Sequence, residues 1–239
     1  MESESQVSTV SRVENDLAVR GRADAPERGR DADFGELTHA VLNALNAIAA
    51  ASELAKLLLA RGAAGDATKS LARIEPECLR AARLLREGRA FLGYRIEPGK
   101  GSVDVAGLVG SCAEAFEGRV EVVTDPGLPM IRGDAEALCR LFNEMLGNAF
   151  GFGADRVRVA VCCEEGGDEL SIGFQDDGPG VAVSAARAFT PFFSTQPEAH
   201  TGLGLALAAR IAQAHGGRVG LSESERGASF LVRLPVGPA

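Results

Sequence analysis

Apolar and small residues recur every three or four positions between residues 33 and 60, and this spacing predicts one long amphipathic helix. Such a helix carries a single buried stripe along one side. The members of this first stripe are Phe34, Leu37, Val41, Leu45, Ile48, Ser52, Ala55 and Leu59. Asp33, with Glu36 three residues later, has the arrangement of a helix-capping box, and the glycines at 62 and 65 predict the helix end.

A second helical stripe begins at about Ala67, and Pro76 inside it predicts a kink or a break because proline lacks the N–H that a helix needs. Its members are Leu71, Ile74, Cys78, Ala81, Leu85 and Leu92. Two helices joined by a short turn form a hairpin with too little core to stand alone. We therefore expect two copies of residues 33–93 to pair into a dimeric four-helix bundle.

The pattern of apolar and polar residues changes after the hairpin. Residues 94–101 read as a linker, and residues 102–239 alternate between strand and helix patterns. Helices are predicted over 103–116, 134–150 and 203–215, with a short one before Phe189, and strands over 119–124, 156–163, 169–175, 218–223 and 228–234. The predicted fold class is α+β, a helical hairpin followed by an α/β sandwich with helices on one face of the sheet.

Composition narrows the class of protein further. Residues 1–32 are polar and charged with few large apolar side chains, which predicts a disordered or weakly ordered tail. A net charge of −8 argues against nucleic acid as a partner. Glu53 and Lys56 interrupt the most apolar stretch, so no membrane span is expected. Five cysteines without metal-ligand spacing predict reduced thiols in a cytoplasmic protein.

Two glycine-rich pieces flank the residues between them. Asp176-Asp-Gly178-Pro-Gly180 ends one predicted strand, and Thr201-Gly202-Leu203-Gly204 opens a predicted helix. Glycine lets a ligand approach the backbone closely. A glycine pair at a helix start offers free N–H groups and a positive dipole end to phosphate. The pieces therefore predict a nucleotide site with a loop that closes over it.

Two further motifs stand in a fixed order with the glycine pieces. Glu144-Met-Leu-Gly-Asn148-Ala lies upstream on a helical pattern, and Phe189-Thr-Pro-Phe192-Phe lies between the glycine pieces. In this order and spacing the sequence resembles the ATP-binding domain of bacterial sensor histidine kinases, within the gyrase, Hsp90, histidine kinase and MutL ATPase superfamily. The resemblance covers about residues 33–235.

The resemblance implies roles for individual residues. Asn148 would ligate Mg²⁺, and Glu144 beside it would share the metal and either polarise water or orient the phosphates of ATP. Asp176 would accept a hydrogen bond from the adenine amino group. The remaining residues implied to bind the nucleotide are Gly178, Gly180, Phe192, Thr201, Gly202, Leu203 and Gly204. His200 stands where the family usually has another glycine.

The segment from Phe34 to Ile48 is similar to the phosphoacceptor box of the same family, and it implies that His39 is the phosphorylated residue. The helical period places His39 away from the buried stripe. Ala40 stands where an acidic residue usually takes the imidazole proton, so Glu36, one turn earlier, is the candidate substitute. Asn43 matches the polar residue that positions water for phosphatase work.

Together these features predict a homodimeric two-component histidine kinase that uses ATP and Mg²⁺ and passes phosphate from His39 to the receiver domain of a response regulator. Two alternatives stay open. One is a phosphatase or histidine phosphotransfer protein on the same scaffold, with weak autokinase activity. The other is an ATP-binding regulatory docking module without phosphotransfer.

Overall fold

The structure is a computed structural model and describes residues 23–24, 29–99, 101–164, 167–222, 224 and 226–237. The tail predicted for residues 1–32 lies largely outside the described residues. The described residues divide into two compact units. We call them the helical unit, residues 29–94 and 190–203, and the sheet unit, residues 23–24, 95–189 and 204–237.

Three helices build the helical unit: α1 (Arg30–Ala60), α2 (Ala64–Leu71) and α3 (Ile74–Gly93). The prediction that Asp33 caps α1 is wrong, because Gly29 occupies the N-cap position and Asp33 lies in the first turn. Asp33 still carries negative charge near the positive end of the helix dipole. The predicted end of α1 is confirmed, and Gly62 follows it with a φ of 75°.

The second predicted helix forms as two pieces. Residues 72–73 interrupt it, so the predicted break precedes Pro76. Pro76 lies in the first turn of α3, where its missing N–H would have no helical partner anyway. The Ser70 hydroxyl donates to the Ala51 carbonyl oxygen at 2.8 Å and so ties α2 to α1.

Small side chains fill the seam that α1 forms with α2 and α3. The buried apolar residues of this seam are Leu37, Ala40, Ala44, Ala51, Ala55, Ala81, Leu84 and Phe91. The first predicted stripe is therefore only partly buried within one hairpin. Leu37 and Ala55 are buried, whereas Phe34, Leu45 and Leu59 are exposed. On the second stripe Ala81 is buried, whereas Leu71, Cys78 and Leu85 are exposed.

By length and composition, Asp31–Ala60 is apolar enough to cross a membrane, with a mean hydropathy of 1.3. The expectation of no membrane span is therefore not confirmed and stays a prediction. Core helices of soluble proteins pass the same test, and this segment contacts other helices of the hairpin along the alanine seam.

A six-stranded sheet in the order β1-β7-β8-β6-β5-β3 forms the centre of the sheet unit. Its strands are β1 (Ala23–Asp24), β3 (Val120–Thr124), β5 (Val157–Cys163), β6 (Glu169–Asp176), β7 (Arg218–Ser222) and β8 (Ser229–Pro235). All neighbours are antiparallel except β3 and β5. Three short strands were missed from the sequence: β1, which lies within the predicted tail and pairs with β7, and β2 (Gly101–Val103) and β4 (Ile131–Gly133), which form a separate antiparallel pair.

Four helices belong to the sheet unit: α4 (Val105–Glu114), α5 (Ala135–Gly151), α6 (Ala185–Ala188) and α7 (Gly204–Ala214). The packing of Phe142 of α5 on Phe174 of β6, with ring centroids 6.1 Å apart, seats α5 on the sheet. Asp134 caps α5, since its Oδ1 accepts from the backbone N–H groups of residues 136 and 137. The predicted α+β class is confirmed.

Buried His215 connects the ends of two helices in this layer. Its Nε2 accepts from the Asp134 N–H at 2.9 Å, and its Nδ1–H donates to the Ile211 carbonyl oxygen at 2.8 Å. Both ring nitrogens are therefore satisfied. The start of α5 and the end of α7 are held together by this side chain, which fixes the spacing of the two helices that carry the predicted phosphate-binding residues.

Candidate functional site

The carboxylate of Asp176 lies at the end of the central strand β6 and is 9% exposed. Its Oδ1 accepts from two backbone N–H groups, those of Gly178 and Ala228, each at 2.9 Å. Burial raises the pKa of Asp176, and the two N–H donors partly oppose that rise. The described residues donate no hydrogen bond to Oδ2, so this oxygen is available to a hydrogen-bond donor of a ligand.

Glycines let the backbone close around Asp176. A Cβ at Gly227, where φ is 70°, would lie within bonding distance of the Asp176 carbonyl oxygen. A Cβ at Gly180, where φ is 82°, would lie 3.0 Å from the Gly227 carbonyl oxygen. Gly227 was not among the predicted site residues. Its signal in the sequence was only a glycine before a predicted strand, and its partner lies 51 positions away.

Asp177 fixes the loop next to this carboxylate. Its Oδ1 accepts from the N–H groups of Asp155 at 2.9 Å and Arg156 at 3.0 Å. These hydrogen bonds lower the pKa of Asp177, with the Arg156 N–H as the largest cause. Residues 155–156 follow α5 along the chain, so Asp177 joins the segment after α5 to the end of β6.

Glu144 and Asn148 lie one turn apart on α5 and are both half-buried. Glu144 Oε1 pairs with the Arg140 guanidinium at 2.6 Å. A Cβ on Gly204 would lie 2.6 Å from Glu144 Oε2, so a side chain at position 204 would displace this carboxylate. The structure therefore brings Glu144 to the first residue of α7, the end of a helix that favours negative charge such as phosphate.

The described residues contain no group of three or more His, Cys, Asp or Glu side chains that could hold a metal ion. Glu144 and Asn148 offer at most two side-chain oxygen groups. That donor set suits Mg²⁺, which typically binds one or two protein oxygens and completes its shell with water and substrate phosphates. It does not suit a metal held by protein alone.

Four of the residues predicted to bind the nucleotide lie instead in the helical unit: Phe192, Thr201, Gly202 and Leu203. Phe192 packs against the cluster formed by Leu37, Ala40 and Leu84, and its ring meets that of Phe91 edge to face at 6.3 Å. Its φ of 63° is a left-handed conformation that costs about 1–2 kcal/mol for a non-glycine residue. The packing against α1 and α3 compensates for that strain.

Polar contacts fasten the same segment to α3. The Arg83 guanidinium donates to the carbonyl oxygens of Ala199 at 3.0 Å and Glu198 at 2.5 Å. The Thr201 hydroxyl donates to Glu87 at 2.5 Å. Sequence reasoning missed Arg83 and Glu87, because their partners lie more than 110 positions away.

The phosphoacceptor candidates lie on α1. His39 and Asn43 are exposed and share one face, and Glu36 is half-buried one turn before His39. Ala40 is 8% exposed and belongs to the hairpin core beside Leu37. An acidic residue at position 40 would bury its carboxylate there, which is a physical reason for alanine at this position.

Comparison with known proteins places these features in context. Residues 133–238 match the model of a domain family described as histidine kinase-, DNA gyrase B-, and HSP90-like ATPase. The sensory histidine kinase/phosphatase NtrB of Rhodobacter capsulatus is 31% identical over 222 residues, 84% of this chain and 61% of that protein. The sensor histidine kinase GtrS of Pseudomonas aeruginosa is 37% identical over 139 residues, 56% of this chain and 28% of that protein.

Among solved structures, full-length ShkA in complex with AMPPNP is similar with a TM-score of 0.53 and 25% sequence identity. The match covers 86% of this chain and 46% of the ShkA chain. The chain thus spans less than two thirds of each of these three relatives.

The packing of Phe192 over Gly88 generates a test of how segment 190–203 is held. A Cβ on Gly88 would lie 2.7 Å from Leu37 Cδ1 and 3.2 Å from Phe192 Cε1. Gly88→Val should therefore displace the Phe192 ring and accelerate amide hydrogen exchange in residues 190–203 by about 10-fold or more, measured by mass spectrometry.

Gly93→Val is the matched control, because a Cβ at this other α3 glycine meets no atom within 4 Å. It should leave the exchange of residues 190–203 unchanged. Equal exchange in the two variants would contradict the role assigned to Gly88.

Proposed function

We propose, from the match of residues 133–238 to the model of the histidine kinase-, DNA gyrase B-, and HSP90-like ATPase family, that the chain is the catalytic core of a two-component histidine kinase. The γ-phosphoryl group of ATP is transferred to the His39 imidazole with release of ADP. It then passes to an aspartate of a response-regulator receiver domain. The observation that carries the proposal is an exposed histidine on a long helix of the same chain as an ATPase domain.

Asp176 recognises the base in this proposal. A carboxylate only accepts hydrogen bonds, so its Oδ2 pairs with the exocyclic amine of adenine and rejects the keto oxygen of guanine. Because Oδ1 is already occupied by two backbone donors, the carboxylate is held in one orientation before the nucleotide arrives. This preorganisation lowers the entropy cost of binding.

Glu144, Asn148 and the start of α7 handle the phosphates. Asn148 and Glu144 would hold Mg²⁺, which would neutralise part of the negative charge of the phosphates. The first N–H groups of α7 point their positive dipole end toward the same anion. Phosphoryl transfer needs positioning and charge neutralisation more than covalent help from protein, and this residue set supplies both.

His39 is the nucleophile. Imidazole is substantially neutral near pH 7 and attacks through a ring nitrogen without prior activation. The proton that leaves the ring needs an acceptor, and Glu36 lies one turn away on the same helix. Since Ala40 occupies the core, Glu36 is the acid on α1 best placed for this role.

Incubation with γ-labelled ATP and Mg²⁺ tests the proposal. The chain should acquire acid-labile label, and His39→Gln should abolish that label while nucleotide binding is retained. Glu36→Gln should slow labelling by about 10²- to 10⁴-fold, the usual size of a general-base contribution. Glu53→Gln is the matched control, since Glu53 is an exposed acid farther along the same helix, and it should label at the wild-type rate.

Label that persists in the His39→Gln variant would contradict the assignment of His39 as the phosphorylated residue. Nucleotide binding without label in the wild type would instead favour a phosphatase or phosphotransfer protein. That second candidate is supported by Ala40 in place of an acid and by exposed Asn43, and a relative is named a kinase/phosphatase. If the chain binds nucleotide but neither acquires label nor dephosphorylates a phosphorylated receiver domain, that result would favour an ATP-binding docking module.

The proposal includes a homodimer formed through residues 33–93. The exposed members of the two stripes form an apolar strip beside the alanine seam: Phe34, Leu45, Leu59, Leu71, Cys78 and Leu85. Exposed apolar surface of this extent on paired helices is typical of an interface. A second hairpin would cover the strip and complete a four-helix bundle.

The dimer is tested by Leu45→Glu, with Leu54→Glu as the matched control. The two leucines are similarly exposed, at 49% and 46%. They lie about 180° apart around α1. Leu45→Glu should weaken dimerisation about 100-fold or more, because the symmetry of a dimer removes two buried leucines.

Analytical ultracentrifugation over a concentration series measures this effect. The Leu54→Glu variant should dimerise like the wild type. A monomeric wild type, or equal weakening by both variants, would contradict the assigned interface.

A further inference from the structure

Two thiols meet inside the sheet unit. Cys112 on α4 and Cys139 on α5 are free cysteines whose Sγ atoms lie 3.2 Å apart. They are 27 positions apart in the sequence, and no motif connects them. Their proximity arises only because α4 and α5 pack side by side on the sheet.

We propose that Cys112 and Cys139 are a redox modification site, at which a two-electron oxidant such as a peroxide joins α4 to α5 through a disulfide. A disulfide has an S–S bond of about 2.05 Å, so the sulfur atoms need to approach by about 1 Å. Among the described residues no third His, Cys, Asp or Glu joins the pair in a possible metal group. The pair is therefore a better substrate for oxidation than for a metal ion.

The exposure of the two cysteines determines which of them is oxidised first. Cys139 is half-buried and reachable, whereas Cys112 is 4% exposed. The Cys139 sulfur attacks one peroxide oxygen, so that an S–O bond forms, the O–O bond breaks and one water leaves. The Cys112 sulfur then attacks the Cys139 sulfenic acid, so that the S–S bond forms, the S–O bond breaks and a second water leaves. Two thiols and one peroxide thus give one disulfide and two waters.

The surroundings favour a selective reaction at Cys139. Burial, together with the hydrogen bond and charge of Cys139, raises the pKa of Cys112 to about 12. Cys112 therefore stays a thiol and is protected from direct oxidation. The Asn143 side-chain amide donates to Cys139 Sγ at 3.4 Å and so holds this sulfur in place.

The crosslink would act on the helix that carries Glu144 and Asn148. Cys139 precedes Arg140, the partner of Glu144, on α5. A disulfide would enclose residues 112–139 in one covalent loop and restrain the unfolded chain. The unfolding midpoint of the oxidised protein should therefore rise by about 5 °C.

The test uses the full chain, treated with hydrogen peroxide, alkylated and digested without reduction. Mass spectrometry should find the peptides of Cys112 and Cys139 linked, and the midpoint should rise and return on addition of dithiothreitol. Cys139→Ser and Cys112→Ala should lose both the crosslink and the shift. Cys163→Ser removes a half-buried thiol of β5 outside the pair and should keep both.

Two results would overturn the proposal. One is oxidation of Cys139 to sulfinic acid with Cys112 still free. The other is linkage of either cysteine mainly to Cys78, Cys162 or Cys163. Peptide mapping of the wild-type chain decides between these results and the expected crosslink even if the Cys112→Ala variant fails to fold.

Discussion

The sheet unit depends on one carboxylate oxygen. Asp176 Oδ1 receives N–H groups from the loop that follows β6 and from the residue that precedes β8, so it closes two chain segments around the end of the central strand. Two residues earlier, Phe174 packs on Phe142 and fixes α5 over the same strand. The Asp176 carboxylate, which we propose recognises the base through Oδ2, and the helix that carries Glu144 are therefore positioned by one strand.

The helical unit depends on a different constraint: small side chains form the buried interface between its helices. Alanines at positions 40, 44, 51 and 55 are the small buried residues of α1 in this seam, and Gly88 leaves room for Phe192 beside Leu37. A seam built from small residues buries little apolar surface. The larger side chains, such as Leu45 and Leu85, remain outside it. One feature thus explains both the docking of segment 190–203 and the exposed leucines that we propose a partner hairpin covers.

Periodicity and local turn chemistry predicted the long helices, five of the strands and the glycine-rich loops, because each of these features depends on residues that are close together in the sequence. The strands β2 and β4 have three residues each, too few for a visible alternation. The seam of the hairpin was misplaced because alanine is a weak hydrophobic signal beside leucine. Gly227 and the Cys112–Cys139 pair acquire their roles only through contacts distant in sequence, which no local pattern encodes.

The central claim is an adenine-selective site built on Asp176, and calorimetric titration of the full chain with ATP and GTP tests it most directly. The account predicts binding of ATP in preference to GTP. In Asp176→Asn the amide oxygen can still accept the two backbone N–H groups, and the new NH₂ group faces the base. ATP affinity should fall by about 10- to 100-fold, the cost of an unmatched buried polar group, while GTP binding improves. Equal binding of both nucleotides by the wild type, or unchanged selectivity in the variant, would contradict the account.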